Sequence, residues 1–305
     1  MEYDIIGDIH GYVVPLMQLL GKLGYHDKSG YYQHPNGRKV IFLGDFIDRG
    51  PNIRETLQLV KAMTDNGSAE AIMGNHEYNA ICFHLKDKVK GGHLRKHKFK
   101  NMMQHFETIK QFASHEKEWA DWIEWFLRLP LFIEKKDFRV VHACWDEKLI
   151  AHIKNVTKDN ILPVELIYDA QEPGTKNYEA IEKTLKGKET TLPYELFFHD
   201  KDGQKRQHVR TKWWLNAEGL EYNEYFMHET QELHGKKIRQ GDIPDNNYYA
   251  EKEIPLFFGH YWFKGEPVLQ RRNVVCLDYS IAKGGKLVAY CFNGENELNQ
   301  QSLNY

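Results

Sequence analysis

The chain has 305 residues, 41 Lys and Arg against 43 Asp and Glu, a formal net charge of -2, and 41% hydrophobic and 28% charged residues. That length supports one large domain or two small ones with a substantial core, and the composition excludes a disordered or collagenous chain. The near-zero net charge excludes a whole-molecule pull toward nucleic acid or anionic lipid, so any attraction for phosphate must be local.

Residues 3–6 read as a strand. Residues 12–23 carry Val13, Leu16, Leu19, Leu20 and Leu23 at helical spacing, ended by Gly24. A second strand is expected at 39–43, and a helix at 53–63 from Ile53, Leu57, Val60 and Met63, with Pro51 at its entry. Residues 69–73 complete a βαβαβ pattern, whose parallel strands put their C-terminal ends, and the Gly-led loops that follow them, on one sheet edge. Residues 80–130 look helical, with Trp119, Trp122, Trp125 and Phe126 spaced for core packing. A strand is expected at 138–142, then an insertion over 147–250 with a few helices and a small hairpin, marked by the turn signal Lys-Asp-Gly at 201–203. Strands at 254–258, 274–277 and 286–292 close a single domain spanning 1–305, with its helical insertion at about 80–130.

No apolar run is long enough to cross a membrane, and no basic segment leads into an apolar stretch at the N-terminus, so a cytoplasmic protein without membrane partners is expected. Cys82, Cys144, Cys276 and Cys291 form no C-x-x-C pair and read as reduced, mostly buried thiols.

Five segments at predicted strand ends carry the chemistry: Gly-Asp-Ile-His-Gly at 7–11, Gly-Asp-Phe-Ile-Asp-Arg-Gly at 44–50, Gly-Asn-His-Glu at 74–77, Val-Val-His at 140–142 and Gly-His at 259–260. Taken alone, Gly259-His260 reads as a turn or cap, and only the joint occurrence points to a site. Two divalent ions roughly 3.5–4 Å apart hold a hydroxide for in-line attack on phosphorus, which calls for a bridging carboxylate and several Asp, His or Asn ligands. Asp8, His10, Asp45, Asn75, His142 and His260 supply that set, with Asp8 and His10 on one side of an extended segment and Asp45 as the bridge. His76 is the expected proton donor to the leaving group, Asp48 its orienting carboxylate, and Arg49 a clamp on phosphate oxygens. Glu77 is expected to cap the helix that follows.

At these residues the chain resembles the PPP branch of the calcineurin-like metallophosphoesterase superfamily, whose first three motifs it matches completely. The resemblance implies an α/β fold, a four-layer α/β/β/α sandwich of two mixed sheets, and the same roles for the six ligands, His76, Asp48 and Arg49. Where eukaryotic-type protein phosphatases have His-Gly-Gly, this chain has His142-Ala143-Cys144-Trp145-Asp146, which looks more like bacterial serine/threonine-phosphatase-like members, as does Cys276-Leu277-Asp278-Tyr279. The family's second phosphate arginine is matched by Arg210, with Arg206 as the other candidate, so Arg49, Arg210 and Asn75 are the expected phosphate-contacting residues.

The expected activity is hydrolysis of phosphomonoesters, with a phosphoprotein as one substrate. Cleavage of a phosphoanhydride in dinucleoside polyphosphates is the alternative, and an inactive metal-binding module the alternative from another class. The basic stretch Lys86, Lys88, Lys90, Arg95, Lys96, Lys98 and Lys100 would suit a polyanionic nucleotide tail, or is a solvated face. Nucleic acid is not an expected partner. The cofactor expected is a pair of divalent ions, manganese first, with iron, zinc or nickel as alternatives.

Overall fold

A computed structural model describes residues 2–193, 196–199 and 205–305. Two sheets form its centre. In the first, β1 (Tyr3–Ile6), β2 (Lys39–Phe42) and β3 (Ala69–Ala71) run parallel, joined by α1 (Val13–Lys22) and α2 (Ile53–Asp65). The second holds β4 (Phe132–Glu134), β5 (Arg139–Val141), β6 (Leu256–Phe258) and β7 (Val274–Cys276) in the order β7-β6-β5-β4, with β5, β6 and β7 parallel and β4 antiparallel at the edge. β8 (Ala289–Phe292) pairs antiparallel with β1, and β9 (Leu303–Asn304) with β8, completing the first sheet as β9-β8-β1-β2-β3.

Side-chain alternation turns these strands into layers, because successive residues of a strand face opposite sides. Ile5, Ile41, Leu43 and Ile72 of the first sheet meet Ile133, Val140, Phe257 and Val275 of the second in one buried cluster. Their strand neighbours Ile6, Val40 and Phe42 belong to the other large cluster, with Leu16 and Leu20 of α1 and Leu57 and Val60 of α2. Val141, Phe258 and Cys276 share that cluster with Leu149, Ile150 and Ile153 of a helix over Glu147–Val156. The result is a mixed α/β sandwich with helices outside both sheets.

Between β3 and β4 the chain forms α3 (Asn75–His84), α4 (Phe99–Gln104), α5 (Phe106–Phe112) and α6 (Glu116–Phe126), with Trp122, Trp125 and Phe126 buried. After Glu147–Val156 come helices at Val164–Asp169 and Lys176–Lys186. A satellite core follows, including Leu192, Val209, Tyr222, Tyr225, Phe226 and Ile238. The turn signal at 201–203 lies outside the described residues, and the strands on either side of it, Phe198–His199 and Lys205–Arg206, pair antiparallel.

Several predicted strands are trimmed. β6 starts at Leu256, because Pro255 has no N–H to give a ladder and contributes only its carbonyl, which accepts from the Arg139 N–H at 2.8 Å. The strand predicted over 286–292 is two: Lys286–Leu287 pairs with Asp278–Tyr279, and β8 joins the first sheet. The edge strands β4 and β9 are three and two residues long, too short to show a period in sequence.

Phe257 is fully buried between the sheets, with its ring centroid 5.9 Å from Phe138, 5.1 Å from Tyr290 and 5.8 Å from Phe292. Phe257→Ala is predicted to cost about 3–5 kcal/mol. Urea denaturation should show a lowered midpoint with an unchanged slope, and a loss below about 1 kcal/mol would mean that the sheets do not depend on this contact.

Candidate metal centre

Every strand-end segment singled out in the sequence lies at one edge of the sandwich. Asp8 and His10 follow β1; Asp45, Asp48 and Arg49 follow β2; Asn75 and His76 open α3 just after β3; His142 follows β5 and His260 follows β6. His10, Asp45, Asp48, Arg49 and His260 have φ of 50, 54, 67, 68 and 69°, a left-handed conformation that non-glycine residues seldom adopt and that clusters at functional sites. Asp8 and His10 therefore do not sit on one side of an extended segment. The chain turns at His10, where the Asp45 carbonyl accepts from the N–H groups of Ile9 (3.2 Å) and His10 (2.8 Å). Gly259 lets another strand end approach, since a Cβ there would lie 2.1 Å from Asp8 Oδ1.

Two buried carboxylates hold these loops together. Glu77, at the third position of α3, accepts from the Asp45 N–H (2.8 Å), the Phe46 N–H (2.8 Å) and the Gly74 N–H (2.9 Å), so it caps its own helix as expected and also fixes the loop after β2. Asp278 does the same on the second sheet, accepting from the Trp262 N–H (2.8 Å) and the Ser280 N–H (2.9 Å). Burial pushes the Glu77 carboxyl up to about 7, with the Asp45 charge adding and the backbone donors opposing. Burial likewise pushes Asp278 up to about 6. Nothing in the pattern Cys276-Leu277-Asp278-Tyr279 alone signals this role for Asp278.

The side chains inside this frame present acceptors to one another. His10 Nδ1–H donates to the Ile47 carbonyl at 2.9 Å, and His142 Nδ1–H to the Leu43 carbonyl at 2.8 Å, which leaves each Nε2 with a lone pair. His10 Nε2 lies 3.7 Å from Asp45 Oδ2, while His142 Nε2 lies 3.5 Å from Asp45 Oδ1 and 3.0 Å from Asn75 Oδ1. Asn75 Oδ1 is also 2.6 Å from His260 Nδ1. Asp8 Oδ2 accepts from the His260 N–H at 3.1 Å, whereas Asp8 Oδ1 and His260 Nε2 are buried without a hydrogen-bond partner. Converging lone pairs of this kind repel unless a cation lies among them, and buried orphaned acceptors are costly. The residues present therefore fit divalent metal ions.

Candidate ligand atoms group as His10, Asp45 and His76, and as Asp45, His142 and His260; Asp45 belongs to both groups, with Oδ2 facing His10 and His76 and Oδ1 facing His142. Burial, with His76 adding, pushes the His10 imidazole down to about 4, and burial pushes His142 and His260 down as well, all toward the neutral form that metals accept. Asp8 is pushed well up by burial and by the charges of Asp278 and Asp45. Burial would also raise Asp45, but His142, His76 and His10 together hold it below the usual carboxylate value.

His76 Nδ1 bonds Asp48 Oδ2, and its Nε2 points to the centre, 3.9 Å from Asp45 Oδ2. Asp48 Oδ1 accepts from His105 Nδ1–H (2.7 Å) and from the Thr108 hydroxyl (2.5 Å). His105 and Thr108 were missed, since they lie in a helical stretch without a motif. Burial opposes the charge on both partners, but Asp45 and Asp48 raise His76 to about 9, while His105 and His76 hold Asp48 far below the carboxylate range. Cations beside Asp45 would pull His76 back down.

A cavity of about 360 Å³ opens over this face, lined by Asp48, Arg49, Asn75, His76, Arg210 and His260 among others. Arg210, on a strand at His208–Arg210, holds its guanidinium 5.4 Å over the Tyr261 ring; Arg206 is exposed and does not line the cavity.

The calcineurin-like phosphoesterase model matches residues 1–222. The chain belongs to this family. Calcineurin-like phosphoesterases use divalent metal ions, in keeping with the two His and Asp groups here. The chain is 34% identical over 164 residues to bis(5'-nucleosyl)-tetraphosphatase PrpE (asymmetrical) of Oceanobacillus iheyensis, covering 53% of this chain and 64% of that protein. It is 42% identical over 153 residues to the protein of the same name from Bacillus subtilis strain 168, covering 47% and 57%. The chain thus spans less than two-thirds of the length of these curated relatives. Among solved structures, a protein serine/threonine phosphatase from Saccharomyces cerevisiae aligns with 99% of this chain and 78% of its own, at 15% identity and a TM-score of 0.49.

The three N–H groups on Glu77 give a prediction. Glu77→Gln keeps one acceptor oxygen but substitutes an NH2 that cannot accept, and is expected to cost about 1.5–3 kcal/mol. Thermal denaturation of the purified variant checks it, and an unchanged midpoint would mean that the loops are held by other contacts.

Proposed function

We propose that the chain is a phosphohydrolase working with two divalent ions, one held by Asp8, His10 and Asp45 and the other by Asp45, Asn75, His142 and His260. The observation that carries this is the single buried carboxylate, Asp45, facing one imidazole group through each of its oxygens. When bound, the ions supply positive charge that lowers the pKa of water and offsets the charge of the phosphoryl oxygens.

The chain's own residues do the rest. The oxygen of a water bonds to phosphorus opposite the leaving oxygen and the water loses one proton to solvent, the bond from phosphorus to the leaving oxygen breaks, and His76 gives its Nε2 proton to that oxygen and is reprotonated from solvent. Asp48 holds the His76 ring by Nδ1, and His105 and Thr108 hold Asp48. Arg49 and Arg210, with the Asn75 side-chain amide, bind the phosphoryl oxygens; neither arginine has a carboxylate partner among the described residues, which supports that role. Manganese is the metal proposed first, with iron, zinc or nickel as alternatives.

Phosphomonoesters, phosphoproteins among them, are the substrates proposed first. Phosphoanhydride cleavage in dinucleoside polyphosphates is the second reading, favoured by the tetraphosphatase activity for which the PrpE relatives are named. An inactive binding module is disfavoured, because each expected ligand and the proton donor are present at the site. The unit is proposed as one domain carrying the 80–130 and 147–250 insertions and working in the cytoplasm. Among the described residues no helix is long and apolar enough to cross a membrane.

Asp45→Ala is expected to lose at least about 10²-fold in phosphate release from an aryl phosphate with manganese. Activity equal to the unsubstituted chain would end the enzyme reading. His76→Ala should keep its metals, measured by elemental analysis, yet lose about 10²–10⁴-fold on alkyl phosphates and far less on nitrophenyl phosphate. Equal losses on both leaving groups would remove His76 as the acid.

A further inference from the structure

The cavity over the metal face does not end at the arginines assigned above. It adjoins a second of about 330 Å³, and both are lined by Asn79, Arg95, Asn101 and Lys186. Lys96 and Lys98 line the second cavity and Lys100 the first. The carboxylates on these walls are already engaged: Asp48 by His76, His105 and Thr108, and Glu182 by the Lys186 ammonium.

Arg95 stands where the two cavities meet. It is half-buried, and its guanidinium is held only by neutral acceptors, Asn79 Oδ1 at 3.0 Å and Gln104 Oε1 at 2.6 Å. No carboxylate pairs with it among the described residues. A half-buried guanidinium without a counter-charge is unfavourable unless an anion joins it, and its planar fork of five N–H donors suits phosphate. The amides of Asn79 and Gln104 pre-orient that fork, which lowers the ordering cost of binding.

We propose that Arg95, aided by Lys100, forms a distal anion subsite that binds a second phosphoryl group of the substrate, beyond the one attacked beside His76. The subsite selects a di- or polyphosphate chain over an isolated monoester, and so favours the second of the two substrate readings above. This rests on the phosphohydrolase reading of the metal face. It also gives the basic stretch between α3 and α4 a specific member, since one of its cations reaches the cleft wall half-buried while Lys96, Lys98 and Lys100 stay exposed.

The test is calorimetric titration of the manganese-loaded full chain, freed of excess metal, with methylenediphosphonate and with methylphosphonate. The unsubstituted chain is expected to prefer the diphosphonate at least tenfold, Arg95→Gln to lose at least fivefold of that preference, and Arg95→Lys to keep most of it. If Arg95→Gln does not fold, Lys100→Gln, at an exposed position, carries the test with an expected loss of about threefold. A preference unchanged in Arg95→Gln, or in Lys100→Gln where Arg95→Gln does not fold, overturns the subsite. In turnover, the ratio of kcat/KM on a dinucleoside tetraphosphate to that on nitrophenyl phosphate should fall at least tenfold in Arg95→Gln, through KM; an equal fall on both substrates also overturns it. Failure of the unsubstituted chain on every phosphate substrate would instead overturn the phosphohydrolase reading, and the diphosphonate titration would still judge the subsite by itself.

Discussion

One buried carboxylate sets the geometry on which the candidate centre depends. Glu77 receives three backbone N–H groups, two from the loop after β2 and one from the loop after β3, and so fixes Asp45 relative to Asn75 and His76. Loops that carry left-handed residues store strain, and they persist only where neighbouring structure over-determines them. Glu77 provides that constraint from the first sheet. Asp278 provides its counterpart on the second, tying the Trp262 and Ser280 backbone next to His260. The two carboxylates brace a centre whose parts come from both sheets.

The cost of this arrangement is electrostatic. Asp8, Asp45, Glu77 and Asp278 are all buried together, and burial with mutual repulsion raises three of them. Meanwhile three imidazoles are pushed toward neutrality and turn lone pairs inward. A protein interior tolerates so many acceptors only when cations complete it. The same reasoning separates the metal face from the cleft above it, where the surplus is positive: Arg49, Arg95 and Arg210 lack carboxylate partners among the described residues. Cations would complete the first region, and a phosphate-bearing anion the second.

How much of this was readable from sequence followed the range of the interactions. The strand-end motifs were legible because each Asp, His or Asn singled out directly follows a strand, in most cases beside a glycine, and the structure brings all five segments to one edge of the sandwich. Asp48's supports were not, because His105 and Thr108 reach it across 57 and 60 positions and carry no local signature. The satellite core around Tyr222, Tyr225 and Phe226 was hidden for a similar reason, being assembled from short pieces without a sustained period. Arg95 looked like one cation in a basic run, and only its half-buried position at the junction of two cavities distinguishes it from its exposed neighbours. The left-handed turn at His10 replaced the extended geometry expected there, since the Asp45 carbonyl captures two successive N–H groups.

The central claim is that one carboxylate, Asp45, joins two metal positions. Anomalous diffraction from crystals of the manganese-loaded protein tests it most directly. Two peaks per chain are predicted, on opposite sides of the Asp45 carboxylate, one beside Asp8 and His10 and the other beside Asn75, His142 and His260. A single peak, or two peaks that do not share Asp45, would contradict the account.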